Sequence, residues 1–186
     1  DGRKRRKGLN GRSEKKKANW CYAVGMVPQF DEPWRIELRS TIVFTDDDGI
    51  SPEALAEAAD RLIEQGRKVK LLYLVPNFAN PSGVTLTAER RAQVLQVCRE
   101  RGILIIEDNP YGLLYFDQKP PAAMRSLDAE GVVYLGSFSK ILSPGLRVGY
   151  VLAPPAIREK LVLANESAIL SPATFAQMMV SEYLSL

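Results

Sequence analysis

Residues 69–83 read VKLLYLVPNFANPSG. Val69 to Val75 is a short, mostly apolar run, as expected of a strand buried inside a sheet. From Pro76 to Gly83 turn formers replace it. Upstream, Ser51-Pro52-Glu53 has the form of an N-cap followed by proline in the first helical turn. Leu55, Ala59, Leu62 and Ile63 then recur at helical spacing, and Gly66 marks a stop. Downstream, Thr87 caps a helix predicted over residues 88–101 and closed by Gly102. A second buried strand, Ile103 to Ile106, runs into Glu107-Asp108-Asn109-Pro110-Tyr111. A third, Val132 to Leu135, runs into Gly136-Ser137-Phe138-Ser139-Lys140, and another strand spans Arg147 to Leu152. Two helices, near residues 155–165 and 172–184, complete the pattern. Strands alternating with helices imply an α/β domain with a largely parallel sheet. Ligands of such sheets gather at the carboxyl ends of the strands. The polar clusters at 76–83, 108–111 and 137–140 should therefore meet on one edge.

The rest of the composition narrows the chemistry. The chain of 186 residues is long enough for one domain with a real core, and 46% apolar with 25% charged residues is ordinary for a globular protein. No apolar run approaches a membrane span, and the charged start is not that of a signal peptide. Two cysteines, Cys21 and Cys98, do not make a disulfide framework, which points to a reducing, cytoplasmic setting. With no histidine in the chain, His-based triads and His-ligated metals are excluded, and acid–base work falls to Lys, Asp, Glu, Tyr or a cofactor. Residues 1–17 hold nine Lys/Arg against Asp1 and Glu14, a charge of +7, which leaves −4 for the rest of a chain whose net charge is +3. This segment reads as a solvated basic tail. No aromatic interrupts it, so a base-stacking nucleic-acid surface is not expected. Residues 18–45, with Trp20, Tyr22, Trp34 and Phe44, show no sustained period.

Each polar residue at a strand end has a plain reading by itself. A lysine after a strand is usually solvated, Asp108 could cap a turn, Tyr111 could be core, and Arg147 could pair with a carboxylate. Their joint order is more specific. NPSG at 80–83, the D-x-x-Y of Asp108 and Tyr111, and SFSK at 137–140 with Arg147 seven residues after Lys140 resemble the class I/II aminotransferases. These are fold-type I enzymes that depend on pyridoxal 5'-phosphate (PLP). The longer stretches VPNFANPSG, EDNPYG and GSFSKILSPGLRVGY are most similar to the branch of 2-aminoadipate and broad-specificity aminotransferases.

The resemblance implies a three-layer α/β sandwich and a role for each matching residue. Lys140 would carry PLP as a Schiff base and later move a proton at the substrate. That requires a neutral amine, supplied by a nearby cationic cofactor and partial burial. Asp108 would hold the proton on the pyridine nitrogen, which keeps the ring an electron sink. Asn80 and Tyr111 would hydrogen-bond the ring's phenolic oxygen. Ser137, Ser139 and Arg147 would hold the phosphate. Gly83 and Gly145 are read as serving backbone geometry. The implied reaction is ping-pong amino transfer between an amino acid and a 2-oxo acid such as 2-oxoglutarate, with a homodimer as the expected assembly.

The same resemblance limits the expectation. Residues 46–186 would be the later part of a large PLP-binding domain, with residues 1–45 a basic segment that fits the family poorly. The family's early phosphate loop, its ring-stacking aromatic, and the small C-terminal domain with its carboxylate-binding arginine have no counterpart in the pattern. Little or no transamination is therefore expected of this chain alone. The alternative is an aminotransferase-like effector domain of a PLP-binding transcription regulator. Asn80 and EDNPYG favour the enzyme, and residues 1–45 show no winged helix.

Overall fold

A computed structural model describes residues 21–28 and 36–186. The basic tail, Trp20 and Trp34 lie outside the described residues. Two strands come first, β1 (Cys21–Pro28) and β2 (Ile36–Val43). They pair antiparallel from Cys21↔Val43 to Pro28↔Ile36. A small ladder of β3 (Thr45–Asp46) and β4 (Gly49–Ile50) leads into helix α1 (Pro52–Glu64). Then follow β5 (Leu71–Leu74), α2 (Ala88–Glu100), β6 (Leu104–Asp108), α3 (Met124–Leu127), β7 (Val132–Ser137), β8 (Gly149–Leu152), α4 (Pro155–Ile169) and α5 (Thr174–Leu184).

The six-stranded sheet has the order β2-β1-β5-β6-β7-β8. Its centre, β5, β6 and β7, is parallel, because a helical connection separates each successive pair and returns the chain to the same end. Between β7 and β8 the only helical turn is a short 3-10 one, Pro144–Leu146. The chain turns back without a crossover, and β8 runs antiparallel to β7. β1 is likewise antiparallel to β5. Since β2 is antiparallel to β1, the strands β2, β5, β6 and β7 share one direction, and the sheet is largely parallel as expected.

Both helix starts read from the sequence are present. The Ser51 hydroxyl accepts from the Ala54 N–H at 3.2 Å, and the Thr87 hydroxyl accepts from the Arg90 N–H at 3.3 Å. Helix α1 turns Leu55, Ala58 and Ala59 inward, while Ile63, expected in the same stripe, sits on its rim at 48% exposure. Helix α2 turns Arg91, Val94, Leu95 and Cys98 inward at the 3-4-7 spacing of one helical face. Burial pushes the Cys98 thiol up to about 12, which makes it a packing residue rather than a nucleophile.

The strands alternate. Leu72 and Leu74 of β5 and Ile105 and Glu107 of β6 are buried on the face covered by α1, α2 and α3. Tyr73, Ile106 and Asp108 point to the opposite face and are half-buried. With Leu55, Val94, Leu95, Met124 and Val132 the buried side forms a single apolar cluster. Each large side chain in it contributes roughly 1.5–3 kcal/mol on leaving water. Helix α4 buries no side chain, and α5 buries only Ala176 and Val180. Among the described residues, no helix is long and apolar enough to cross a membrane.

Candidate active site

The loop after β5 is closed on itself. Leu86 N–H donates to the Pro76 carbonyl at 2.7 Å, and Ala79 N–H donates to Val84 at 2.9 Å. Phe78 N–H donates to the Thr85 hydroxyl at 3.1 Å, and the Ser82 hydroxyl donates to the Ala79 carbonyl at 3.1 Å. Gly83 takes a positive φ of 75° at the tip, as its assigned backbone role requires. The Asn80-Pro81 peptide is cis, and the Asn80 side chain stands exposed at the tip.

Arg91 of α2 clamps the base of this loop. Its guanidinium is fully buried and uses all five of its donors. Nε reaches the Leu86 carbonyl at 3.0 Å, Nη1 reaches Pro121 and Ala122 at 3.2 and 2.9 Å, and Nη2 reaches the Pro76 carbonyl at 3.5 Å and Asn77 Oδ1 at 2.7 Å. Burial lowers the pKa of Arg91, and the charge of Glu107 opposes that shift. Glu107 is itself pushed up, first by burial, against the two N–H groups it accepts from, Met124 at 3.0 Å and Arg125 at 2.9 Å.

At the end of β6, Asp108 accepts a 2.6 Å hydrogen bond from the Tyr73 hydroxyl. The next residue, Asn109, joins three strand ends. Its Oδ1 accepts from Asn77 Nδ2 at 2.8 Å, and its Nδ2 donates to the Tyr134 hydroxyl at 3.2 Å. Tyr134 is pushed up to about 12, chiefly by burial, so its hydroxyl stays protonated. Gly112 lies against this amide: a Cβ there would come within 2.5 Å of Asn109 Nδ2 and Oδ1. Tyr111 is half-buried in the turn that follows β6.

The third cluster lies past β7. Asp108 is in register with Leu135, so Ser137, two residues on, emerges on the same face as Asp108. The Ser139 N–H donates to the Ser137 hydroxyl at 3.1 Å and turns the chain toward Lys140. Ser137 pairs with Gly149 and Phe138 N–H donates to the Val148 carbonyl at 3.1 Å, which brings Arg147 beside the serines. Arg147 has a left-handed φ of 53°, and its Nη1 donates to the Pro144 carbonyl at 3.4 Å.

The structure thus brings Asp108, Ser137, Ser139, Lys140 and Arg147 to the carboxyl ends of β6 and β7, with Asn80 on the loop after β5. Among the described residues, the side chains of Asn80, Tyr111 and Lys140 have no hydrogen-bond partner. Lys140 is exposed, so the described residues do not provide the partial burial expected of it. Sequence reading missed Tyr73, Asn77, Arg91 and Asn109. Asn77 and Asn109 lay inside quoted motifs, but their pairing is visible only once β5 and β6 are adjacent.

The donor set suits PLP. A carboxylate at one strand end, and two hydroxyls, an amine and a guanidinium at the next, match a cationic ring nitrogen, an aldehyde and a phosphate dianion. The sequence pattern of class I and II aminotransferases matches residues 30–185. The chain belongs to that family. Its enzymes depend on PLP, and the chain is 41% identical over 140 residues to aromatic-amino-acid aminotransferase 1 of Thermococcus litoralis, covering 75% of this chain and 34% of that enzyme. The crystal structure of the α-aminoadipate aminotransferase of Thermus thermophilus, complexed with N-(5'-phosphopyridoxyl)-L-leucine, superposes with a TM-score of 0.71 at 38% identity, covering 77% of this chain and 36% of that one. An uncharacterized HTH-type transcriptional regulator, YisV of Bacillus subtilis, is 36% identical over 128 residues, 67% of this chain and 26% of that protein. The chain spans about a third of the length of the aminotransferases it matches.

Proposed function

We propose that this chain carries the cofactor-holding part of a PLP-dependent aminotransferase that moves an amino group between an amino acid and a 2-oxo acid. In this reading residues 46–186 are the later part of the large domain. The supporting observation is the meeting of Asp108 with Ser137, Ser139, Lys140 and Arg147 at adjoining strand ends. When bound, PLP supplies an electron sink for negative charge at the substrate's α-carbon. Asp108 holds the proton on the ring nitrogen. Asn80 and Tyr111 donate hydrogen bonds to the ring's phenolic oxygen. The Ser137 and Ser139 hydroxyls and the Arg147 guanidinium would hold the phosphate. The Lys140 amine would hold the cofactor, and the same amine would move a proton at the substrate's α-carbon.

Substrates come from the same reading. Relatives named for aromatic and 2-aminoadipate substrates point to an amino acid donor with a bulky or acidic side chain, and 2-oxoglutarate is the proposed acceptor. The assembly proposed is a homodimer and the setting cytoplasmic.

A single-turnover assay tests amino transfer. The chain is loaded with PLP, freed of excess, and given 2-aminoadipate or an aromatic amino acid. The expected result is slow loss of the visible band of lysine-bound cofactor, with an equimolar release of 2-oxo acid. The similarity to YisV supports a second reading, ligand sensing by a regulator. In that case the amino acid displaces Lys140 from the cofactor and no 2-oxo acid forms.

A further inference from the structure

Among the described residues, Asp108 is the carboxylate proposed to meet the cofactor ring, and a carboxylate can rotate. Half-buried at the end of β6, it accepts at Oδ2 a 2.6 Å hydrogen bond from the Tyr73 hydroxyl, its one side-chain partner among the described residues. The sheet enforces this meeting. Tyr73 of β5 is in register with Ile106 of β6, and Asp108 lies two residues further along on the same face. Neighbours of this diagonal kind are within reach of a side chain as long as tyrosine. The short length is that of a charge-assisted bond between a hydroxyl and a carboxylate.

We infer that Tyr73 is a positioning residue for the cofactor: its hydroxyl engages one oxygen of Asp108, fixing the carboxylate plane so that the other oxygen is available to the ring nitrogen. The inference rests on the reading of Asp108 given above. In this role Tyr73 acts through Asp108 rather than on the substrate. The other groups near the carboxylate's strand end, Asn109 and Asn77, satisfy each other and Tyr134, so they do not take over the task. One aromatic hydroxyl from a neighbouring strand thus links the depth of β5 in the sheet to the orientation of the group that keeps the ring protonated.

The test is a double-mutant cycle read by PLP titration of the full 186-residue chain. Tyr73→Phe removes one oxygen from a half-buried side chain, and its thermal midpoint is recorded to show that the fold persists. Lys140-dependent visible absorbance is followed for wild type, Tyr73→Phe, Asp108→Asn and the double variant. Tyr73→Phe is expected to weaken PLP binding about tenfold, the size of one charge-assisted hydrogen bond. In the Asp108→Asn background the same change should cost no more than about twofold, since the coupling is gone. If Asp108→Asn alone abolishes the band, the pH midpoint of the band decides, and it should differ between wild type and Tyr73→Phe. An unaltered affinity and midpoint in Tyr73→Phe, or an equal loss with and without Asp108, overturns the inference. Absence of any Lys140-dependent band in the wild type defeats the cofactor reading beneath it, a distinguishable result.

Discussion

Arg91 is fully buried with no carboxylate of the described residues within salt-bridge distance, and it survives there because every N–H has an acceptor. Replacing it with Met keeps the volume but strands the Leu86, Pro121 and Ala122 carbonyls and the Asn77 amide oxygen, while the Pro76 carbonyl keeps the Leu86 N–H. Arg91→Met should therefore lower unfolding free energy by about 3 kcal/mol or more in urea denaturation. A loss under about 1 kcal/mol would show that water replaces the clamp. Asn109 allows a sharper prediction, because Gly112 packs directly on its amide. Gly112→Ala must push that amide away from Asn77 and Tyr134, costing about 1–3 kcal/mol. In an Asn109→Ala background the clash disappears, and Gly112→Ala should cost almost nothing. Equal costs in both backgrounds, measured by denaturation, would mean that Gly112 serves something other than Asn109.

At the scale of elements, Glu107 links a strand to a helix. Both of its oxygens accept N–H groups at the start of α3, which has no side-chain cap of its own. Its pKa is raised above 4.5, so the folded protein binds this proton more tightly than the unfolded chain. Glu107 therefore favours folding below the unfolded value, and that contribution is lost as pH climbs through the raised folded value. Glu107→Gln cannot ionise. Its stability relative to wild type should rise as pH climbs from the ordinary glutamate range through the raised folded value, whatever constant offset the lost acceptor brings. A pH-independent difference in denaturation midpoints would contradict this.

The same elements mark what a sequence can disclose. Helices α1 and α2 were legible because their signals are local: Ser51 and Thr87 cap within one turn, and Gly66 and Gly102 follow the ends. The site-bearing strand ends were legible because turn formers cut the apolar runs at 76, 108 and 137. Helix α3 was not, since it spans four residues and is held by a glutamate 17 positions away. β1 and β2 were not, because their place is set by pairing with each other and with β5. The antiparallel β8 follows from the missing crossover, an absence that the alternation of strands and helices does not reveal. Of the site itself, the residues proposed to meet a ligand were legible, whereas those that brace the strand ends around them, Tyr73, Asn77, Arg91 and Asn109, act through contacts 14 to 35 positions apart.

At the scale of the whole molecule, the last two helices present apolar side chains to solvent. Leu161, Val162 and Leu163 of α4 and Phe175, Met178 and Tyr183 of α5 are exposed, as is Lys140. The chain spans about a third of the length of its aminotransferase relatives, and exposed apolar groups on this scale mark surfaces that other parts of a protein cover. Multiple turnover by the 186-residue chain is therefore expected to be negligible. In a coupled assay with 2-aminoadipate and 2-oxoglutarate, glutamate should not exceed one equivalent of chain. Sustained glutamate production would show that these residues suffice for catalysis.

The central claim is that Lys140 is the cofactor lysine, and absorbance tests it most directly. Wild type and Lys140→Ala are titrated with PLP at neutral pH, and the visible spectrum is compared with that of free cofactor. A saturable visible band in the wild type that is absent from Lys140→Ala, and trapped on a peptide containing residue 140 after borohydride reduction, is the predicted result. Identical spectra for the two proteins would contradict the account.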